Sequence, residues 1–158
     1  QPTRDAMDLA YLTGQRPADT LKFDERDIRD GQLTVTQNKT GAKLRISITG
    51  ELAEVVDRIL LRKRGIKCKV KFTQLVINEH GKPLSLHALQ QRFDKARDAA
   101  KVDKKRFQFR DLRAKAGTDK AESSGDIRQA QKQLGHSSVA MTEHYVRDRK
   151  GAKVGPTK

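Results

Sequence analysis

Two short stretches, residues 32–36 and 43–48, alternate β-branched and polar residues, with Asn38, Lys39, Thr40 and Gly41 between them. That alternation, broken by a glycine-bearing turn, predicts an antiparallel hairpin with Lys39 at or near its tip. The remaining apolar residues recur mostly at helical spacing, apart from a short extended run around Leu75 to Ile77. The fold class is therefore α+β: a mostly helical domain with a small antiparallel β-sheet or hairpin.

The helices carry their own punctuation. Thr3 is placed to cap a helix bearing Met7, Leu9, Ala10 and Leu12, and Gly14 to end it. Pro17 suits the first turn of a second short helix through Leu21, because its missing N–H is not needed there. Arg16 thus follows a helix end, with Asp19 three residues on and within pairing reach. Thr49 caps a helix to about Arg64, with Leu52, Val55, Val56, Ile59 and Leu60 on its apolar face. Ser85 opens another, with Leu86, Leu89, Phe93 and Ala96 or Ala100 inward and Gln90, Arg92, Lys95 and Arg97 outside. Further helices are predicted near 110–122, 126–134 and 138–145.

A chain of 158 residues suits one compact domain. Residues 1–146 are expected to form it, leaving 147–158 as a basic tail that cannot bury apolar area and is mobile until it meets a partner. The chain starts at Gln1 without a methionine and enters helical sequence at once, so it reads as an excised fragment. Lys and Arg number 34 against 20 acids, giving a net charge of +14. Such a field attracts polyanions and makes nucleic acid the leading partner. An acidic membrane surface is the competitor, but no run approaches the ~20 apolar residues of a span and no signal-peptide core begins the chain. Aromatics at 4% weigh against RNA recognition by base stacking. Cys68 is the only cysteine, so no disulfide or zinc-finger framework is available.

Six residues then fall in an order with chemical meaning. Arg16 sits in Thr13-Gly14-Gln15-Arg16, Lys39 in the hairpin turn, and Arg110 and Arg113 in Arg110-Asp111-Leu112-Arg113. His136 follows Leu134-Gly135, and Tyr145 lies in Glu143-His144-Tyr145-Val146-Arg147. Displacement at a phosphodiester needs a nucleophile, neutralisation of the non-bridging oxygens and a proton for the leaving oxygen. Arginine suits the second task, because its planar guanidinium donates paired hydrogen bonds to phosphate and stays charged. Histidine between a helix-ending glycine and a capping serine is presented from a loop, where it can donate to phosphate near neutral pH. A phenol ionises near pH 10, so a tyrosine nucleophile needs cations around it. Arg110 and Arg113, at i and i+3, are expected on one helix face; a solvated basic face is the plainer alternative for that pair alone.

The ordered set resembles the catalytic half of tyrosine recombinases, particularly phage integrases, over nearly the whole chain. The resemblance implies that Tyr145 attacks the scissile phosphate to give a 3′-phosphotyrosyl intermediate and a free 5′ hydroxyl. Arg16, Arg113, Arg110 and His136 would hold the phosphoryl oxygens, and Lys39, ranked above Lys43, would protonate the leaving oxygen. Asp19 and Asp111 would orient arginines, and His144 could sense the same phosphate. No metal, cofactor or ATP is implied. The implied partners are double-stranded DNA with attachment-type sites, a homotetramer on two duplexes and accessory DNA-bending proteins, in the bacterial cytoplasm or nucleoid. An upstream DNA-binding domain, usual in the family, is expected to be missing. One departure stands out: the family usually has histidine where this chain has Arg110. Arginine is no base at pH 7, so any base role there passes to His136, to water or to no group, and the substitution either adds charge stabilisation or lowers activity. Two alternatives remain, a type IB topoisomerase and a catalytically silent DNA-binding module.

Overall fold

In the computed structural model, which describes residues 1–70, 72–147 and 156, helix α1 (Pro2–Thr13) buries Ala6, Leu9 and Ala10. It starts one residue before the expected Thr3 cap; its cap position is Gln1, and Pro2 occupies a first turn where no N–H is required. Gly14 ends it in the left-handed conformation, φ 68°, donating its N–H to the Tyr11 carbonyl. The chain then extends through Arg16 into the single turn of α2 (Pro17–Thr20).

The expected hairpin is present as β2 (Gln32–Thr36) and β3 (Lys43–Ser47), with Leu33 opposite Ile46 and Val35 opposite Leu44. A third strand, β1 (Ile28–Arg29), joins its edge, giving an antiparallel sheet in the order β1-β2-β3. The connecting Asp30 and Gly31 both have positive φ, 50° and 69°. That is the geometry of a two-residue hairpin turn whose twist matches the strands, for which Asp-Gly is a favoured sequence.

Helix α3 (Gly50–Gly65) packs Leu52, Val55, Val56 and Ile59 into the core. It is locked to α1 by Asp5, fully buried and 3.1 Å from Arg58 and 3.0 Å from Arg62. The extended run near residue 75 is buried but pairs only through isolated bridges, Asp24 with Gln74 and Ile77 with Pro83. Helix α4 (Leu86–Ala99) corrects the expected face. Leu89 and Phe93 are buried, whereas Leu86, Ala96 and Ala100 are exposed and Arg97 is buried. The cause is the returning loop: Phe107 and Phe109 pack edge-to-face on Phe93, at 5.4 and 5.3 Å between centroids. Arg97 lies beneath that loop with its guanidinium 5.6 Å from the Phe93 ring centroid and 2.8 Å from Asp94.

Three helices close the fold: α5 (Asp111–Ser124), α6 (Ile127–Leu134) and α7 (Val139–Arg147). Gly117 lets α5 and α6 approach, since a Cβ there would lie 2.8 Å from Leu134 Cδ1. Gly135 turns the chain out of α6 with φ 62° and places residue 136 against α5. The tail expected after Arg147 lies, except for Pro156, outside the described residues.

Candidate active site

The turn after α1, the start of α5 and the turn between α6 and α7 converge on one another, and each brings one basic group. Arg113, one turn into α5, is 3% exposed. Its Nη1 donates to the Gly14 carbonyl at 2.6 Å, and its Nη2 to the Leu134 carbonyl at 2.5 Å. The same Nη2 lies 3.3 Å from His136 Nε2. A guanidinium only donates, so Nε2 is the acceptor; neutral His136 then carries its proton on Nδ1, 3.0 Å from the buried Thr142 hydroxyl oxygen. Thr142 is one turn before Tyr145 on α7 and so sets the imidazole's orientation.

Electrostatics in this cluster run against charge. Burial first, and the neighbouring Arg16 second, lower Arg113 to about 10, while Tyr145 and Asp19 act to keep it charged. Burial, Arg113 and Arg16 together push His136 down to about 4, so the imidazole is neutral at pH 7. Tyr145 lies near enough to Arg113 to favour its charged form. Its ring lies 5.4 Å from the His136 ring, tilted by 58°, and is 41% exposed. Desolvated cations beside an accessible hydroxyl form a site that gains by accepting an anion.

Arg16 joins from the other side. Its Nη1 donates to Gln37 Oε1 at 3.3 Å and lies 3.9 Å from the buried Asp19 carboxylate. The structure thus brings Arg16, Arg113, His136 and Tyr145 together, with Asp19 behind Arg16. Lys39 is exposed in the turn between β2 and β3. Lys43, the alternative, is exposed on β3 opposite Thr36. Arg110 is the cap residue of α5, with helical dihedrals (φ −59°, ψ −22°), and is exposed where Arg113 is buried. Asp111 accepts the Gln108 N–H at 2.8 Å, and His144 is exposed on α7.

Two buried glutamines were not singled out by sequence. Gln37 Nε2 donates to Gln15 Oε1 at 2.7 Å and to the Leu134 carbonyl at 2.9 Å. Gln15 Nε2 donates to the carbonyls of Thr13 and Gln133, both at 2.9 Å. A Cβ on residue 135 would fall 2.7 Å from Gln37 Oε1, so Gly135 serves this packing as well as its own turn. The available signal was position: Gln15 and Gln37 each sit within two residues of a proposed cation.

Comparison with known proteins places this arrangement among relatives. A family model described as phage integrase family matches residues 1–151. The integrase of Escherichia phage HK022 is 35% identical over 150 residues, covering 92% of this chain and 41% of that protein. Tyrosine recombinase XerD of Corynebacterium glutamicum is 31% identical over 143 residues, covering 90% of this chain and 47% of that protein. The chain therefore spans less than half the length of these curated relatives. Among solved structures, lambda integrase as a tetramer bound to a Holliday junction superposes with a TM-score of 0.81 at 28% identity, over 98% of this chain and 45% of that one. The lambda integrase catalytic core gives 0.71, also at 28% identity, over 85% of this chain and 83% of that one.

Proposed function

The chain belongs to the phage integrase family, and on that premise we propose that it carries the catalytic part of a site-specific DNA recombinase, acting in phage or prophage integration and excision. The observation that supports this most is the grouping of Arg113 against His136 and of His136 against Tyr145, a buried cation near an exposed phenol. Tyr145 Oη attacks the scissile phosphorus; the P–O5′ bond breaks, and the DNA 3′ phosphate becomes esterified to the tyrosine. The phenol proton passes to water, since both ring nitrogens of His136 are engaged, and Lys39 gives a proton to the departing 5′ oxygen. In the second step a 5′ hydroxyl from the partner duplex attacks the phosphotyrosine and releases Tyr145. Bond energy is conserved in the ester, so no ATP enters the balance.

Arg16 and Arg113 neutralise the non-bridging oxygens, and Asp19 restrains Arg16. Arg110, at the exposed entrance to α5, adds a third cation where the family usually has histidine; Asp111 beside it and His144 beside the nucleophile are supporting groups. The partners are double-stranded DNA carrying attachment-type sites, three further copies of the protein on two duplexes, and accessory DNA-bending proteins, in the bacterial cytoplasm or nucleoid. Residues 1–146 are the catalytic unit in this reading, and the basic tail acts in assembly or cleavage. Deleting residues 149–158 should then alter assembly or cleavage, and unchanged values of both would refute that tail role.

The test is to incubate the chain with supercoiled plasmid in EDTA, quench with denaturant and assay covalent adduct for wild type, Tyr145→Phe and Arg110→His. Adduct in wild type, lost in Tyr145→Phe with DNA binding kept, supports the enzyme. Binding with no adduct in any of the three chains supports a silent DNA-binding module instead.

A further inference from the structure

Both chain neighbours of Lys39 are tethered to groups that also hold Arg16. On one side, the Asn38 N–H donates to Asp19 Oδ1 at 2.8 Å, while the other oxygen of that carboxylate lies 3.9 Å from Arg16 Nη1. On the other side, the Thr40 hydroxyl donates to Gln37 Oε1 at 2.7 Å, the same oxygen that accepts from Arg16. Gln37 itself is 1% exposed and fixed from behind, since its Nε2 donates to Gln15 and to the Leu134 carbonyl, which also takes Arg113. Its backbone closes the turn as well, with its N–H on the Ala42 carbonyl and its carbonyl accepting the Gly41 N–H, both at 2.9 Å. A lysine in an exposed turn would otherwise sample a wide volume at high entropic cost to catalysis.

We propose that Gln37, through Thr40, is a positioning residue for Lys39: one buried amide registers the hairpin tip against the arginine clamp, so that the lysine ammonium meets the leaving oxygen of the phosphate those arginines bind. This rests on the assignment of Lys39 as the proton donor. Gln37 touches no reacting atom. The tether through Thr40 belongs to the protonation step, so cutting it there should appear in the rate of cleavage and not in DNA affinity.

The test compares an ordinary DNA site with one whose scissile 5′ oxygen is replaced by bridging sulfur, a leaving group that needs no proton. Thr40 is exposed, so Thr40→Val cuts the tether without emptying the core; Thr40→Ser keeps the hydroxyl. On ordinary DNA, Thr40→Val should slow adduct formation about tenfold, the size of one net hydrogen bond, with unchanged DNA affinity. Thr40→Ser should restore the rate. Gln37→Met should show a larger loss, with folding followed by thermal melting. On the sulfur substrate the Thr40→Val defect should shrink towards wild type, as should that of Lys39→Ala, whereas Gln37→Met, which also releases Arg16, should keep part of its loss. A wild-type rate for Thr40→Val on ordinary DNA, or an equal defect on both substrates, overturns the proposal. If Lys39→Ala is not rescued by sulfur, its role as proton donor falls and the positioning role falls with it. If wild type forms no adduct on either substrate, the recombinase assignment itself is what has failed.

Discussion

Arg113 divides its donors among the carbonyls of Gly14 and Leu134 and the His136 imidazole, so it is both a structural tie and the candidate phosphate clamp. Lysine cannot make that fork, and Arg113→Lys should leave a buried carbonyl unpaired, costing about 1–3 kcal/mol in denaturant unfolding as well as slowing cleavage. His136 adds a pH signature. Its folded-state value of about 4 lies below the ordinary histidine value of 6.5, so between those limits the unfolded chain binds a proton that the folded chain does not. Stability should therefore be level with respect to this group above pH 6.5 and fall as pH drops from about 6.5 towards 4. His136→Asn should flatten that part of the curve in denaturation midpoints measured across pH. The carboxyls of Asp24 and Glu79, held below their usual range chiefly by Arg26 and Arg92, enter only below about pH 5, so the upper part of the window, from 6.5 to about 5, reports the histidine. At this scale the sequence revealed the cations and the tyrosine, because charge and motif order are local properties. Gln15 and Gln37 stayed hidden because an amide takes its role from partners far along the chain, 22, 97 or 118 residues away, and Thr142 because its contact with His136 depends on the turn between α6 and α7.

Among the elements, helix punctuation was legible: Gly14 and Gly135 end their helices, and Ser85 caps α4 by accepting the Ala88 N–H. The orientation of α4 was not, because the Phe107 and Phe109 loop that covers Arg97 is a tertiary partner invisible to helical periodicity. Nor was the third strand, although Asp30-Gly31 carried a hairpin signal. The α5–α6 contact gives a sharp prediction. Gly117→Ala gains about 0.8–1 kcal/mol of helix propensity but drives a methyl group to 2.8 Å from Leu134 Cδ1, where overpacking costs about 1–3 kcal/mol. The net effect should be a loss, read as a lower melting temperature. In a Leu134→Ala background the same change should instead stabilise, because only the propensity term remains.

For the whole molecule, a net charge of +14 sets how the chain finds its partner. If the basic face contacts ~6–10 phosphates, affinity for duplex DNA should fall about 10³–10⁵-fold between 50 and 200 mM salt. Fluorescence anisotropy titrations would check this, and a flat response would remove that face from the account. The α+β class was legible from one alternating pair of segments among helical ones, while the convergence of three turns on Arg113 required the packed fold. Everything central rests on the nucleophile, and the most direct measurement locates the covalent bond. The chain is reacted with target DNA in EDTA, denatured and digested with nuclease and protease, and the residual nucleotide is mapped by tandem mass spectrometry. The account predicts a single modified peptide carrying a 3′-linked nucleotide on Tyr145. A nucleotide on any other side chain, or an adduct that persists in Tyr145→Phe, would contradict it.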